Sequence, residues 1–171
     1  MNRFADRIIR ASKLDVNLYE EVEADKSTLT QAMGVVVLSS LAAGLGSITS
    51  GGSTGVLMGT ISALIGWLIW SYLTYIIGTK LLPTPETKAD YGELLRTTGF
   101  SSSPGLIRIL GIIPGLRGIV FLVAGIWMLV AMIIAVRQAL DYQSTLRAIG
   151  VCIFGWIIQG LIFWLFFSMV H

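Results

Sequence analysis

Charged side chains divide the sequence into polar and apolar stretches. No charge lies between Lys26 and Lys80, a run of 53 residues. A helix needs about 20 apolar residues to cross the hydrocarbon core, so this run fits two crossings joined by a turn. The segment Ser47-Ile48-Thr49-Ser50-Gly51-Gly52-Ser53-Thr54 is rich in Gly and small polar residues and marks that turn. The first span is predicted near Leu29–Ile48, with Ser27 or Thr28 as its N-cap. The second is predicted near Gly55–Ile77. Two further charge-free runs, Gly118–Val136 and Ala148–Val170, are long enough to span. The short linker Arg137–Arg147 makes them an antiparallel hairpin.

Between these pairs lies an apolar stretch, Pro104–Leu116, with Arg108 inside it. Thirteen helical residues reach only about 20 Å. Ser101-Ser102-Ser103 before Pro104 suit a helix start, and Pro114-Gly115 suit its end. The stretch reads as a short, tilted third span, or as a re-entrant or interfacial helix. The positive-inside rule separates these readings weakly. Five spans with the N-terminus inside place ten Lys and Arg in the cytosol and Arg117 outside; four spans place ten inside and two outside. The apolar character of the stretch favours five.

The first 28 residues are polar-rich and do not read as a signal peptide. Phe4, Ile8, Ala11, Leu14, Leu18 and Val22 share one helical face, which Asp15 interrupts, so a break is expected there. Residues 2–13 carry net +3 and residues 15–25 net −5. The basic half suits an interfacial helix on anionic lipid; a solvated helix capping the bundle is the alternative. The chain thus divides into a cytosolic amphipathic segment, 1–26, and a transmembrane domain, 27–171.

Composition agrees with a membrane protein. Hydrophobic residues make up 54% and charged residues 13%, where a soluble domain carries about 25% charge. A net charge of +2 is too small for nucleic-acid binding. One Cys rules out an internal disulfide and a Cys-based zinc cluster, and the single His, His171, rules out a His-cluster metal site. Phosphate loops, zinc-protease motifs and CxxC pairs are missing. Gly51-Gly52-Ser53-Thr54-Gly55 fits G-x-S-x-G, but that motif needs a strand-to-helix elbow, so it reads as a turn. No catalytic, cofactor or metal residues are assigned, and no cofactor is expected.

Several ordered features carry a family resemblance. Leu18-Tyr19-Glu20-Glu21-Val22-Glu23-Ala24-Asp25 precedes Thr30-Gln31-Ala32 at the entry to the first span. The second span ends in Trp67-Leu-Ile-Trp-Ser-Tyr-Leu-Thr-Tyr-Ile-Ile-Gly78. Asp90-Tyr-Gly-Glu-Leu-Leu-Arg-Thr-Thr-Gly-Phe100 leads to the Ser-Pro104 step, and Gly125-Ile-Trp127 leads to Ala135-Val-Arg-Gln-Ala-Leu-Asp141. This set resembles the prokaryotic branch of the Yip (Ypt-interacting protein) domain family over roughly residues 15–170. The resemblance implies a five-span helical domain with a cytosolic N-terminus. Eukaryotic members associate with Rab-type GTPases and with one another. Their typical Asp-Leu-Tyr-Gly-Pro motif is here Asn17-Leu18-Tyr19-Glu20-Glu21, without Gly-Pro, which argues against GTPase binding.

Candidate lipid or partner contacts are Arg108, Arg96, Glu93, Asp90, Arg137 and Asp141. A charge such as Arg108 near mid-membrane costs about 2.5–3.5 kcal/mol; it either meets a lipid phosphate or partner, or snorkels to an interface. Asp90 and Glu93 form a capping box, opening a helix to Thr98 that Gly99 stops; Glu93 then pairs with Arg96, and Arg137 with Asp141. Gly55–Gly59 and Gly111–Gly115 are small-residue pairs for internal packing. Trp67, Trp70, Tyr72, Tyr75 and Trp164 suit interface belts, and Gln159 is expected to bond a neighbouring helix. Cys152 reads as a lone buried thiol.

The expected protein is an all-α, polytopic membrane bundle of about five helices, in a prokaryotic cytoplasmic membrane. It is expected to be a non-enzymatic organising or accessory protein that binds lipids and integral membrane proteins, or itself. The alternative is a small-molecule or lipid transporter or channel using the broken third segment. No Asp or Glu lies in any proposed span and no inverted repeat is evident, which weighs against that alternative.

Overall fold

The computed structural model describes residues 3–170, with side chains at all of these except 48–54, 163, 166, 167, 169 and 170. Among the described residues every regular element is helical. The chain forms α1 (Arg3–Ser12), α2 (Val16–Ala24), α3 (Leu29–Gly46), α4 (Ile48–Ile76), α5 (Tyr91–Phe100), α6 (Arg117–Ala139) and α7 (Thr145–Val170), with a ten-residue 3-10 helix at Ser103–Ile112. Four stretches are long and apolar enough to cross a membrane: Lys26–Gly46, Gly55–Leu81, Arg117–Ala139 and Thr145–Ile162.

The third traverse of the bundle is broken. It runs up α5, turns at Ser101-Ser102, and continues as the 3-10 helix. Its course follows α3 in the same direction. A Cβ built on Gly99 would lie 2.7 Å from that of Ala32, one on Gly105 would overlap the Ser39 hydroxyl, and one on Gly46 would overlap the Arg108 carbonyl oxygen. At about 1.5 Å per α-helical residue and 2.0 Å per 3-10 residue, the two pieces together reach about 35 Å. The stretch Pro104–Leu116 is therefore only the upper part of a longer traverse that starts at Tyr91. The tight 3-10 winding lets its glycines sit backbone to backbone against α3, with α6 on the other side.

Around this element α3 and the third traverse run one way, α4 and α6 the other. Gly44 meets Val56 where α3 turns into α4, and Gly111 meets Phe121 beside the start of α6. At the other end the Tyr142 hydroxyl donates to the carbonyls of Gly78 (3.1 Å) and Leu82 (2.6 Å), tying the α6–α7 hairpin to the end of α4. This second end holds α2 and most charged side chains and is called the charged end here; α1 runs from it along the bundle side, where the Trp127 indole donates to the Ser12 carbonyl at 2.8 Å.

The α3–α4 turn is shorter than the sequence suggests. Helix α3 stops at Gly46, and α4 resumes at Ile48. Where backbone groups lack water, glycine and serine are tolerated within helices, so 49–54 extend α4 rather than forming a loop. Ser53 and its hydrolase-like pattern thus sit on a helix; the Ser53 side chain and His171 lie outside the described residues. Thr28 is not a side-chain N-cap: its hydroxyl donates to the carbonyls of Val22 and Asp25, closing a 3-10 turn at Lys26–Thr28.

Two predicted belt residues are core residues instead. Trp67 and Trp70 are 7% and 6% exposed. The Trp67 indole donates to the Leu95 carbonyl and to the Thr98 hydroxyl, both at 3.2 Å. Such donors lock the lower half of the third traverse onto α4. Tyr72 and Trp164 are exposed, as a belt requires. Gly55 and Gly59 have no atom within 4 Å of a built Cβ, so they face open space rather than internal packing.

Gly46→Ala should lower thermal stability in detergent by about 1–3 kcal/mol, because its methyl overlaps a main-chain carbonyl that cannot rotate away. Gly59→Ala should leave stability unchanged or raise it by up to about 1 kcal/mol, since the methyl meets nothing. Melting of the two purified variants beside the native chain checks both.

Candidate functional site

The N-terminal helices close the charged end. Helix α1 ends at Ser12, and two residues on, Leu14 takes φ 61°, with the Asp15 and Leu14 amides bonding back to the carbonyls of Arg10 and Ala11. Asp15 then caps α2 by accepting from the Asn17 amide at 3.0 Å. The break at Asp15 folds the two oppositely charged halves onto each other. Arg7, 3% exposed, donates to Glu21 (2.9 Å), Gln31 (3.0 Å) and Asp25 (3.1 Å). Arg10 donates to Asp15 (2.8 Å) and Glu21 (2.5 Å). Hydrogen bonds from Arg10 hold the Asp15 and Glu21 carboxyls below their usual range. Two of the three cations of α1, Arg7 and Arg10, are thus consumed by α2 and its caps, so the segment caps the bundle; Arg3 and, just past the helix, Lys13 remain exposed.

The motif residues Leu18 and Tyr19 are fully buried, as is Val22. They seat α2 against α5 and α6. Beneath them Arg96, 4% exposed, donates Nε to the carbonyls of Val22 (2.9 Å) and Glu23 (3.1 Å), and Nη2 also reaches the Glu23 carbonyl. Arg96 therefore caps the C-terminus of α2, where a cation complements the helix dipole. It does not pair with Glu93. The Glu93 carboxylate instead accepts from the Asp90 amide at 2.7 Å, while Asp90 accepts from the Glu93 amide at 2.8 Å. That is the capping box; its helix continues through Gly99 to Phe100, because Gly99 is packed against Ala32.

The pair Arg137 and Asp141 is also redirected. Asp141 takes φ 53° just past α6, a left-handed position that Asp tolerates. The chain then turns back, so Arg137 donates to the carbonyls of Tyr142 (3.1 Å) and Gln143 (3.3 Å). Asp141 accepts from the Lys88 amide at 3.4 Å. Glu20 accepts from Gln138 at 2.9 Å.

These segments surround a cavity of about 470 Å³ at the charged end, lined by Glu20, Glu23, Glu93, Arg137, Gln138, Asp141 and Tyr142 among others. Three expected residues, Glu93, Arg137 and Asp141, meet there. Asp90 and Arg96 support its walls, the one through the capping box and the other through α2. Glu20 and Glu23 were missed as site residues; the acidic run 20–25 was their only signal. Burial pushes the Glu23 carboxyl up to about 7, reinforced by Glu93, Asp141 and Glu20 and opposed by Arg96.

Arg108 stands apart. Its guanidinium contacts the Met128 sulfur, and it borders three cavities of about 240, 530 and 270 Å³. No carboxylate lines any of them. Met128 is the middle residue of α6, and the indole of the adjacent Trp127 donates to the Ser12 carbonyl at 2.8 Å. Gln159 lines the 530 Å³ cavity and makes no hydrogen bond to a neighbouring helix among the described residues. No group of three metal-ligating side chains occurs among the described residues.

A helical membrane bundle closed by a short N-terminal hairpin agrees with a family comparison: the Yip1 domain model matches residues 18–167. The chain belongs to the Yip1 domain family. No curated protein and no solved structure matches it. The Yip1 match begins at the buried Leu18 and leaves α1 outside, so the Arg7 contacts to Glu21, Asp25 and Gln31 join a segment beyond the family domain onto it.

Glu23 sets a pH dependence. Its folded pKa, about 7, lies above the ordinary 4.5. Between these values the native state keeps a proton that the unfolded chain has lost, so α2 docking is strongest at low pH and weakens as pH rises from about 4.5 to 7. Hydrogen exchange of the 18–24 amides, corrected for intrinsic rates, should show greater protection at pH 6 than at pH 8. Glu23→Gln should abolish that difference.

Proposed function

We propose that this Yip-family protein is a non-enzymatic organising or accessory subunit of a prokaryotic cytoplasmic membrane, with its charged end in the cytosol. It binds other integral membrane proteins and lipids. The observation that supports this reading is the cavity at the charged end. Its ionic groups come from α2, α5 and the α6–α7 hairpin and are each held by a cap or a packed helix. They therefore form a rigid surface of mixed charge rather than a reactive centre. The orientation follows from charge: Arg117 alone among the cations lies at the far end and Arg108 in between, and cytosolic faces carry the Lys and Arg. Leu18 and Tyr19 are buried, which leaves them inaccessible to a GTPase.

The exposed Glu20 tests the proposal. A stoichiometric second polypeptide should co-purify from native membrane in mild detergent, and Glu20→Lys should cut its recovery about fivefold, the worth of ~1 kcal/mol. Recovery of this chain alone from both would remove the reading.

A second reading, a transporter or channel for small molecules or lipids, is favoured by one feature: the broken traverse with a half-buried Arg108 beside internal cavities. It expects solute or lipid flux in proteoliposomes that Arg108→Ala diminishes at least tenfold. Flux that the change leaves unaltered, or no flux at all, removes it.

A further inference from the structure

Arg108 is a cation that meets no carboxylate among the described residues. Its guanidinium rests at Met128, about 16 Å along α6 from either helix end. Charges at such depth pair with an opposite charge, bond to carbonyls, or line a wet cavity. Among the described residues Arg108 forms no ion pair. The sequence has no Asp or Glu in 26–85, 94–140 or 142–171. These ranges contain all of α3, α4, α6 and α7, so no long apolar helix of a second copy carries a carboxylate. A phospholipid phosphate sits at the headgroups, about 15 Å from the bilayer centre, and reaching Arg108 would drag it into hydrocarbon. A carboxylate on another transmembrane helix arrives at the right depth.

The approach to Arg108 is shaped for such a helix. The 530 Å³ groove between α6 and α7 opens to the bundle surface, and Arg108 lies at its floor. Leu122 and Ile126 on α6 are 64% and 57% exposed, and Trp156 on α7 is 50% exposed. Between them Gly125 has no atom within 4 Å of a built Cβ, which leaves room for a close backbone approach. Gln159 faces the same groove, and its amide makes no hydrogen bond among the described residues.

We infer that this groove seats a transmembrane helix of a different protein carrying an Asp or Glu near its middle. The carboxylate pairs with Arg108, and a polar neighbour on that helix bonds Gln159. This rests on the accessory-subunit reading and names the chemistry of the partner.

The test uses the full chain, fluorescently labelled, in phosphatidylcholine vesicles. The probes are single-span Leu/Ala peptides with Asp at the centre, Asp near one end, or no Asp. Energy transfer should report association of the central-Asp peptide at an about tenfold lower peptide-to-lipid ratio than the other two. Arg108→Gln should erase that preference and Arg108→Lys should retain it; circular dichroism and elution volume verify that both variants fold. Equal association of the three peptides, or a preference that survives Arg108→Gln, overturns the inference. If the peptides are not distinguished while phosphatidylglycerol stays bound to the native chain through purification and is lost from Arg108→Gln, the occupant is a lipid and the inference is likewise overturned. Neither failure alters the Glu20→Lys result, so the broader reading stands or falls separately.

Discussion

Backbone contact between α3 and the broken third traverse governs the arrangement of everything else. At Gly46, Gly99, Gly105 and Gly111 the two elements approach so closely that a methyl at any of them would meet a neighbouring atom within 3 Å. Lipid tails are as apolar as leucine, so membrane helices associate through such close packing and through polar contacts. The contact fixes the course of the traverse, and that course fixes its side chains. Its lower half carries Arg96 under α2 and Leu95 and Thr98 against Trp67. Its upper half carries Arg108 to the middle of α6.

Charge distribution follows from the same frame. All ten carboxylates lie at the charged end, on α1, α2, the α4–α5 linker, α5 and the α6–α7 turn. Water there makes an ion cheap, and pairing between α1 and α2 makes it useful: Arg7 is buried because Glu21, Asp25 and Gln31 surround it. One cation, Arg108, pairs with none of them among the described residues. An ion in apolar surroundings is costly without a partner, and the half-buried Arg108 has only small hydroxyls and the Met128 sulfur about it.

Much of the architecture was legible because membrane spans follow from charge-free length alone. The capping box at Asp90 and Glu93 and the break at Asp15 were legible because caps are local. Other features depend on tertiary contact. Ser47–Thr54 has the composition of a loop in water, but in apolar surroundings only a helix satisfies the backbone. Trp67 and Trp70 have belt chemistry, yet the Leu95 carbonyl and the Met132 sulfur offer their indoles partners inside the bundle. Glu93–Arg96 and Arg137–Asp141 had the right spacing for pairs. Each Arg found backbone carbonyls at a helix end, where several orphan acceptors converge. The charged cavity was half legible: its α5 and α6 residues were named, but Glu20 and Glu23 belong to it only because α2 docks there.

Packing is graded along the bundle. Near the charged end Leu94, Val136, Leu140, Ala148 and Val151 are fully buried, and Tyr142 bonds two carbonyls of the α4 terminus. Towards the far end α6 and α7 expose Ile119, Leu122, Ile126, Phe154, Trp156 and Leu161. Gly155 and Trp156 of α7 pack against Trp70, and Ile158 joins the same cluster. In water such exposure would collapse the two helices together; in lipid nothing is gained by hiding leucine from acyl chains. Helix α6 is held along its length by the 3-10 helix, while α7 exposes its outer face to lipid. The groove between them is filled by lipid tails until a partner offers something they cannot. Only a group that meets Arg108 or Gln159 does so, which makes polarity rather than apolar area the discriminating property of whatever binds there.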